Sequence, residues 1–154
     1  MTIQEKKEWL GRYRSGLARI EQLRERRARV QSAGEKITVS YSKTPGGGSG
    51  GDKIQLAVEH IAEIDAEIKE LQKELPKWKK AANKAIEKIA NADHRRLMQY
   101  YYVECLPSAL AARTAGYQPR YAREIRTRII GKMKITPPTA SPRRPPVCDI
   151  LSLK

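Results

Sequence analysis

Phenylalanine is absent from this chain of 154 residues, and two Trp and seven Tyr bring the aromatic share to only 6%. A large globular core is hard to assemble from that supply, so one small domain carried on extended helices fits better than one ordinary domain. Cysteine is scarce too. Cys105 and Cys148 have neither CxxC spacing nor paired histidines nearby, which argues against zinc and leaves reduced thiols as the expectation. No apolar run approaches the ~20 residues of a membrane span, and the polar start MTIQEKKEW has no signal-peptide core, so a cytoplasmic location without a membrane partner is expected. Acidic residues are in the minority, 17 against 31 Lys and Arg, for a net charge of +14. That imbalance points to a polyanionic partner, nucleic acid ahead of an anionic membrane surface.

What the chain does have is a patterned stretch over residues 106–133, LPSALAARTAGYQPRYAREIRTRIIGKM. Leu110, Ala111, Ala112 and Ala115 predict a short helix with an inner face of mostly small residues, which a second helix can cross closely. Gly116 ends it, because glycine accepts the left-handed backbone of a helix terminus without penalty, and Tyr117 supplies an apolar contact that pins the turn. Pro119 restarts the helix at a first-turn position where its missing N–H loses nothing. Ala122, Ile125, Ile129 and Met133 then recur at helical spacing and predict the inner face. The opposite face carries the candidate DNA-binding residues Gln118, Arg120, Arg123, Glu124, Thr127 and Arg128. Arg95, Arg96, Arg126, Lys132 and Lys134 are candidate phosphate contacts. This is the spacing of a helix-turn-helix that presents a basic helix to double-stranded DNA.

Upstream, Trp9, Leu10, Tyr13, Leu17, Ile20, Leu23 and Val30 recur at helical spacing in an arginine-rich segment, predicting a basic amphipathic helix over 1–33 that Gly34 ends. The alternation of Ile37, Val39 and Tyr41 with polar residues is a strand signal too short to build a sheet, so 34–53 reads as an extended, flexible linker containing PGGGSGG. A phosphate-binding loop is rejected there. The residues after Gly51 are Asp52, Lys53 and Ile54, which set a carboxylate where the motif needs a cation, and Asp52 reads better as a helix cap.

Between Ile54 and Ile89, apolar residues alternate steps of three and four, including Ile61, Ile64, Ile68, Leu71, Leu75, Trp78, Ala82 and Ala85. This predicts a long helix over 54–91, kinked or broken near Pro76. Its 54–75 part holds six acidic residues and two lysines, against nine basic and four acidic residues in 1–30. The opposite signs favour an antiparallel hairpin with the first helix; the other partner for the 54–89 seam is a second copy of the chain, as a homodimer or higher homo-oligomer. Asn91 or Asp93 should cap the next helix, which contains Leu97, Met98, Tyr101 and Tyr102 and opens the domain 92–135. His60 and His94 lack a second ligand or nucleophile and read as surface or capping residues. Tyr100, Tyr101 and Tyr102 read as support more readily than as base-stacking groups. Over 136–154 the sequence TPPTASPRRPP predicts a disordered tail, in which Arg143 and Arg144 can touch phosphates.

The basic first helix, the connector SKTPGGGSGGDK, the seam from Ile54 and the segment ADHRRLMQYYYVECL leading into the helix-turn-helix together resemble phage transcriptional regulators of the RinA and ArpU type, over roughly residues 5–133. Their C-terminal helices look like the promoter-binding region four of sigma factors. The helical periodicities themselves predict an all-α fold, a long helical hairpin or coiled coil followed by a C-terminal helix-turn-helix and a disordered tail. The resemblance implies a late-gene activator that binds a promoter region as a dimer or alongside host RNA polymerase. The segment AGYQPRYAREIRTRII also resembles the helix-turn-helix of phage terminase small subunits, which implies recognition of a packaging site instead. A non-catalytic structural coiled coil is the third reading. No metal cluster, nucleophile–base pair or phosphate loop is present, so neither enzyme chemistry nor a cofactor is expected.

Overall fold

The structure, a computed structural model, describes residues 1–41 and 50–136, with side chains for 1–36 and 51–136. It is all-α, with no strand among the described residues. Helix α1 spans Ile3–Tyr41, α2 Gly50–Glu87, α3 Ala92–Met98, α4 Ser108–Thr114 and α5 Pro119–Lys132; a π-helical turn, Gln99–Val103, continues α3.

Helix α1 begins in a reciprocal cap. The Glu5 N–H donates to Thr2 Oγ1 at 3.2 Å while Glu5 Oε2 accepts from the Thr2 N–H at 2.6 Å, the Thr-x-x-Glu signature of a helix start. The hydrogen bond from the Thr2 backbone, and then that from its hydroxyl, hold the Glu5 carboxyl below its ordinary range. The helix does not end at Gly34, and residues 37–41 are helical where a strand or extended linker was expected. Gly34 faces α2, where an added Cβ would stand 3.7 Å from that of Ala57, so packing carries the helix through a residue whose intrinsic propensity favours ending it. The remaining linker residues, 42–49, lie outside the described residues, as do the tail from 137, Arg143, Arg144 and Cys148.

Helix α2 starts at Gly50, so Asp52 lies in its first turn, where a carboxylate favours the helix dipole, and is not the cap. It also runs unbroken through Pro76. Pro76 is exposed, while Leu75 and Ala82 on either side are buried, so the packed face holds the helix together across the site.

The two long helices pair antiparallel. Arg19 meets Glu67 at 3.0 Å, Arg27 meets Asp65 at 2.7 Å, and Arg26 Nη2 lies 3.1 Å from His60 Nε2. These pairs are about half exposed and contribute at most ~1 kcal/mol each, so they set register more than stability. The apolar seam supplies the attraction: Leu10, Ile20 and Leu23 of α1 and Ile64, Leu75 and Ala82 of α2 are buried. Gly16 permits the closest approach, for a Cβ there would stand 2.6 Å from Leu75 Cδ2 and 3.2 Å from the Trp78 ring. The seam from Ala57 to Trp78 thus packs against α1 of the same chain, while its last part, Ala82 to Ile89, joins the core of the C-terminal helices.

At its base the hairpin merges with the C-terminal helices. Leu10, Ala82 and Ile86 form one buried cluster with Leu97, Met98, Tyr102, Ala112, Ala122, Ile125, Ile129, Ile130 and Met133. The expected boundary between 54–91 and 92–135 is therefore a change of helix but not of core.

Candidate nucleic-acid interface

The approach to the helix-turn-helix is built from local caps. Of the two cap candidates, Asn91 takes the role: its Oδ1 accepts from the N–H of Asp93 at 2.9 Å and of His94 at 3.3 Å. Arg95 turns back on the end of α2, donating through Nε and Nη2 to the Ile89 carbonyl at 3.1 and 2.8 Å. The π-helical turn then lets the chain exit, with Glu104 N–H bonded to Gln99 O and Leu106 N–H to Tyr100 O, and places Cys105 at φ 55°.

The turn has the form expected from the sequence. Gly116 sits at φ +86°, the Tyr117 N–H donates to Ala112 O at 2.8 Å and the Gly116 N–H to Arg113 O at 3.1 Å. Those two bonds close the end of α4 in a Schellman motif. Pro119 opens α5 at its first turn. Ala122, Ile125, Ile129 and Met133 are buried as expected, with Ile130 beside them. Leu110 departs from its expected inward position and is 49% exposed, so Ala111 and Ala112 form the inner face of α4.

On the outward face of α5, Arg120, Arg123, Glu124 and Arg128 are exposed, and Gln118 stands exposed just before it. The three arginines have no hydrogen bond or ion pair to described residues, and Glu124 is not paired with Arg120 or Arg128. Thr127 is half-buried and its hydroxyl donates to the Arg123 carbonyl at 3.2 Å, so it is less available to a ligand than the exposed candidates beside it. Tyr121, 50% exposed, joins this end of the helix and was not among the residues picked out by spacing.

The candidate phosphate contacts divide. Arg126 is committed within the fold, its guanidinium 3.7 Å from the centre of the Tyr101 ring and its Nη2 donating to Ser108 Oγ at 3.1 Å. Arg95 is committed to the end of α2, as above. Arg96 is exposed and unpaired among described residues. Lys132 and Lys134 are exposed but stand at the far end of α5, about 18 Å along the axis from Arg120 at 1.5 Å per residue.

Tyr101 is the joint that residue spacing did not reveal. Arg14 of α1 also lies over its ring, at 4.3 Å, and Arg14 Nη1 donates to the carbonyls of Tyr101 at 3.0 Å and Leu106 at 2.7 Å. Tyr101 thus ties the hairpin to α5 through two cations, while Tyr102 beside it is buried. Burial raises the Tyr102 phenol to about 12, against the opposing charge of Arg126. Both tyrosines act as support. Lys6 adds a third tie, donating to the Gly131 carbonyl at 3.3 Å.

Among the described residues no group of three or more His, Cys, Asp or Glu is placed to hold a metal ion, and no helix is long and apolar enough to cross a membrane. Comparison of the chain with protein-family models, curated proteins and solved structures gives no match.

Proposed function

We propose that this chain is a phage or prophage DNA-binding transcriptional regulator of the late-gene activator type, working in the cytoplasm of a bacterial host. It addresses a promoter region through α5, with host RNA polymerase as a second candidate partner. The observation that carries this reading is the outward face of α5. Three guanidiniums with no partner among the described residues, those of Arg120, Arg123 and Arg128, stand exposed on a helix whose start is fixed by the Gly116 turn and Pro119. A rigid, exposed, arginine-bearing helix of this length fits the major groove, where a bidentate arginine–guanine contact discriminates by ~1–3 kcal/mol. Tyr121 adds an apolar group able to meet a thymine methyl beside them.

Mapping bound DNA across a phage genome tests the assignment: a promoter-proximal site supports it, and a packaging-start site would transfer the chain to the terminase small-subunit class. On the mapped site, Arg123→Ala should lose ~1–3 kcal/mol of specific binding while binding to unrelated DNA falls much less. With about four phosphates neutralised, log K should fall against log salt with a slope of roughly −3.6. Uniform weakening on every sequence would refute base reading by this face.

A further inference from the structure

The base of the hairpin meets the end of α5 around a cavity of about 540 Å³ that the DNA-reading face does not use. Its apolar lining includes Ile89 from the end of the hairpin and Ile129 and Met133 from α5. Around these stand Lys88, Lys132 and Lys134, all exposed and none hydrogen-bonded or ion-paired to a described residue. His94 completes the lining with a side chain that likewise has no described partner, and no carboxylate lines the cavity.

An apolar hollow of this volume with converging, unpaired cationic groups is the composition of a small-molecule site. We propose that the cavity binds a small amphipathic anion, a carboxylate or phosphate head on an apolar body of medium-chain acyl or bicyclic aryl size. The lysines take the head and the Ile129–Met133 wall takes the body. A bare inorganic anion leaves the apolar wall wet, and an apolar molecule without charge leaves the ammonium groups unanswered. Lys132 stands about 18 Å along the helix from Arg120 at 1.5 Å per residue, so the site is separate from the arginine-bearing start of α5. Because Ile129 and Met133 also belong to the core that positions α5, an occupant packs directly against the supports of the reading helix.

The test uses the full chain with labelled isoleucine, leucine, valine and methionine methyl groups, and decanoate as the probe below its micelle-forming concentration. Decanoate should shift the Ile89, Ile129 and Met133 resonances saturably with Kd below about 1 mM. Decyltrimethylammonium, the same tail with the opposite charge, should not, and acetate should bind far more weakly. Lys132→Gln and Lys134→Gln should each weaken decanoate by about 1.5–5-fold, and Ala90→Trp, at an exposed position on the lining, should block it while the other methyl resonances stay in place. Absence of a saturable shift, or equal response to the cationic tail, would overturn the proposal. So would Overhauser contacts in the free protein from the methyls of Val147, Ile150 or Leu151 to Ile129, which would mean that the chain fills the cavity itself. No DNA enters the experiment, so its outcome is independent of the regulator reading.

Discussion

Arg14 offers the sharpest check on how the hairpin is joined to the helix-turn-helix. Its Nη1 serves the carbonyls of Tyr101 and Leu106, in a stretch where the chain is leaving a helix and those oxygens need a donor from elsewhere. A hydrogen bond with a charged partner contributes ~1.5–3 kcal/mol, and the half-buried setting puts both of these toward the low end, since water can reach the site once the guanidinium is gone. The contact with the Tyr101 ring at 4.3 Å adds ~0.5–1 kcal/mol. Because the two bonds share one nitrogen and are not fully additive, Arg14→Ala should cost about 2–4 kcal/mol. For a chain of this size that is a fall in Tm of roughly 5–15 °C, read by thermal and urea unfolding of the full protein. Arg14→Lys should recover no more than half, because a compact, strongly hydrated ammonium has no planar face to lay on the Tyr101 ring while it donates to both carbonyls. Tyr101→Leu keeps the carbonyl and removes only the ring, so a double-mutant cycle with Arg14→Ala should give a coupling of ~0.5–2 kcal/mol. An Arg14→Ala variant within 0.5 kcal/mol of the parent, or full rescue by lysine, would show that α1 is not fastened through this residue.

Gly116→Ala should cost ~1–2 kcal/mol of stability through backbone conformation alone, since a Cβ there would meet nothing within 4 Å; asparagine should cost less, and unchanged stability on alanine substitution would contradict the left-handed turn. Pro76→Ala should stabilise the full chain by ~1–3 kcal/mol, because α2 continues through an exposed position where proline forfeits a hydrogen bond, and a destabilised variant in urea unfolding would show that the proline shapes the hairpin. Tyr102, raised from 10 to about 12 mainly by burial, holds its proton in the folded state over a range where the unfolded chain releases it. The stability this gives is complete below pH 10 and is lost as pH rises through 12, about 2–3 kcal/mol in all. Tyr102→Phe should flatten that alkaline fall in urea midpoints, and an identical pH profile would refute the burial assignment.

The elements legible in advance were those whose signal is local. Gly116, Tyr117 and Pro119 specify a turn within four residues, and the inward positions Ala122, Ile125, Ile129 and Met133 follow from one helical period. The hairpin was legible as two seams of opposite charge, and its two strongest cross-helix pairs, Arg19–Glu67 and Arg27–Asp65, fall within them. Errors arose where packing outweighed intrinsic preference. Gly34 continues a helix because Ala57 lies against it, and Pro76 does not break α2 because the buried face on either side carries the helix through it.

The roles of the arginines were beyond local reading. Residue spacing set Arg120 and Arg123 on a candidate reading face and offered Arg95 and Arg126 as candidate phosphate contacts, all four as cations available to DNA. Tertiary structure separates them, committing Arg95 to the Ile89 carbonyl and Arg126 to Tyr101 while leaving Arg120 and Arg123 exposed. The same holds for Arg14, whose partners lie 87 and 92 residues away, and for Lys88 and Lys132, brought to one cavity from the turn after α2 and the end of α5. The sequence by itself determined which faces turn inward, where α4 stops and α5 starts, and that the two long helices carry opposite charge, because each depends on neighbours within a few turns. Only the tertiary structure decided which cations hold the fold and which have no partner among the described residues, because a guanidinium or ammonium on a long side chain takes its partner from whatever the fold brings within reach.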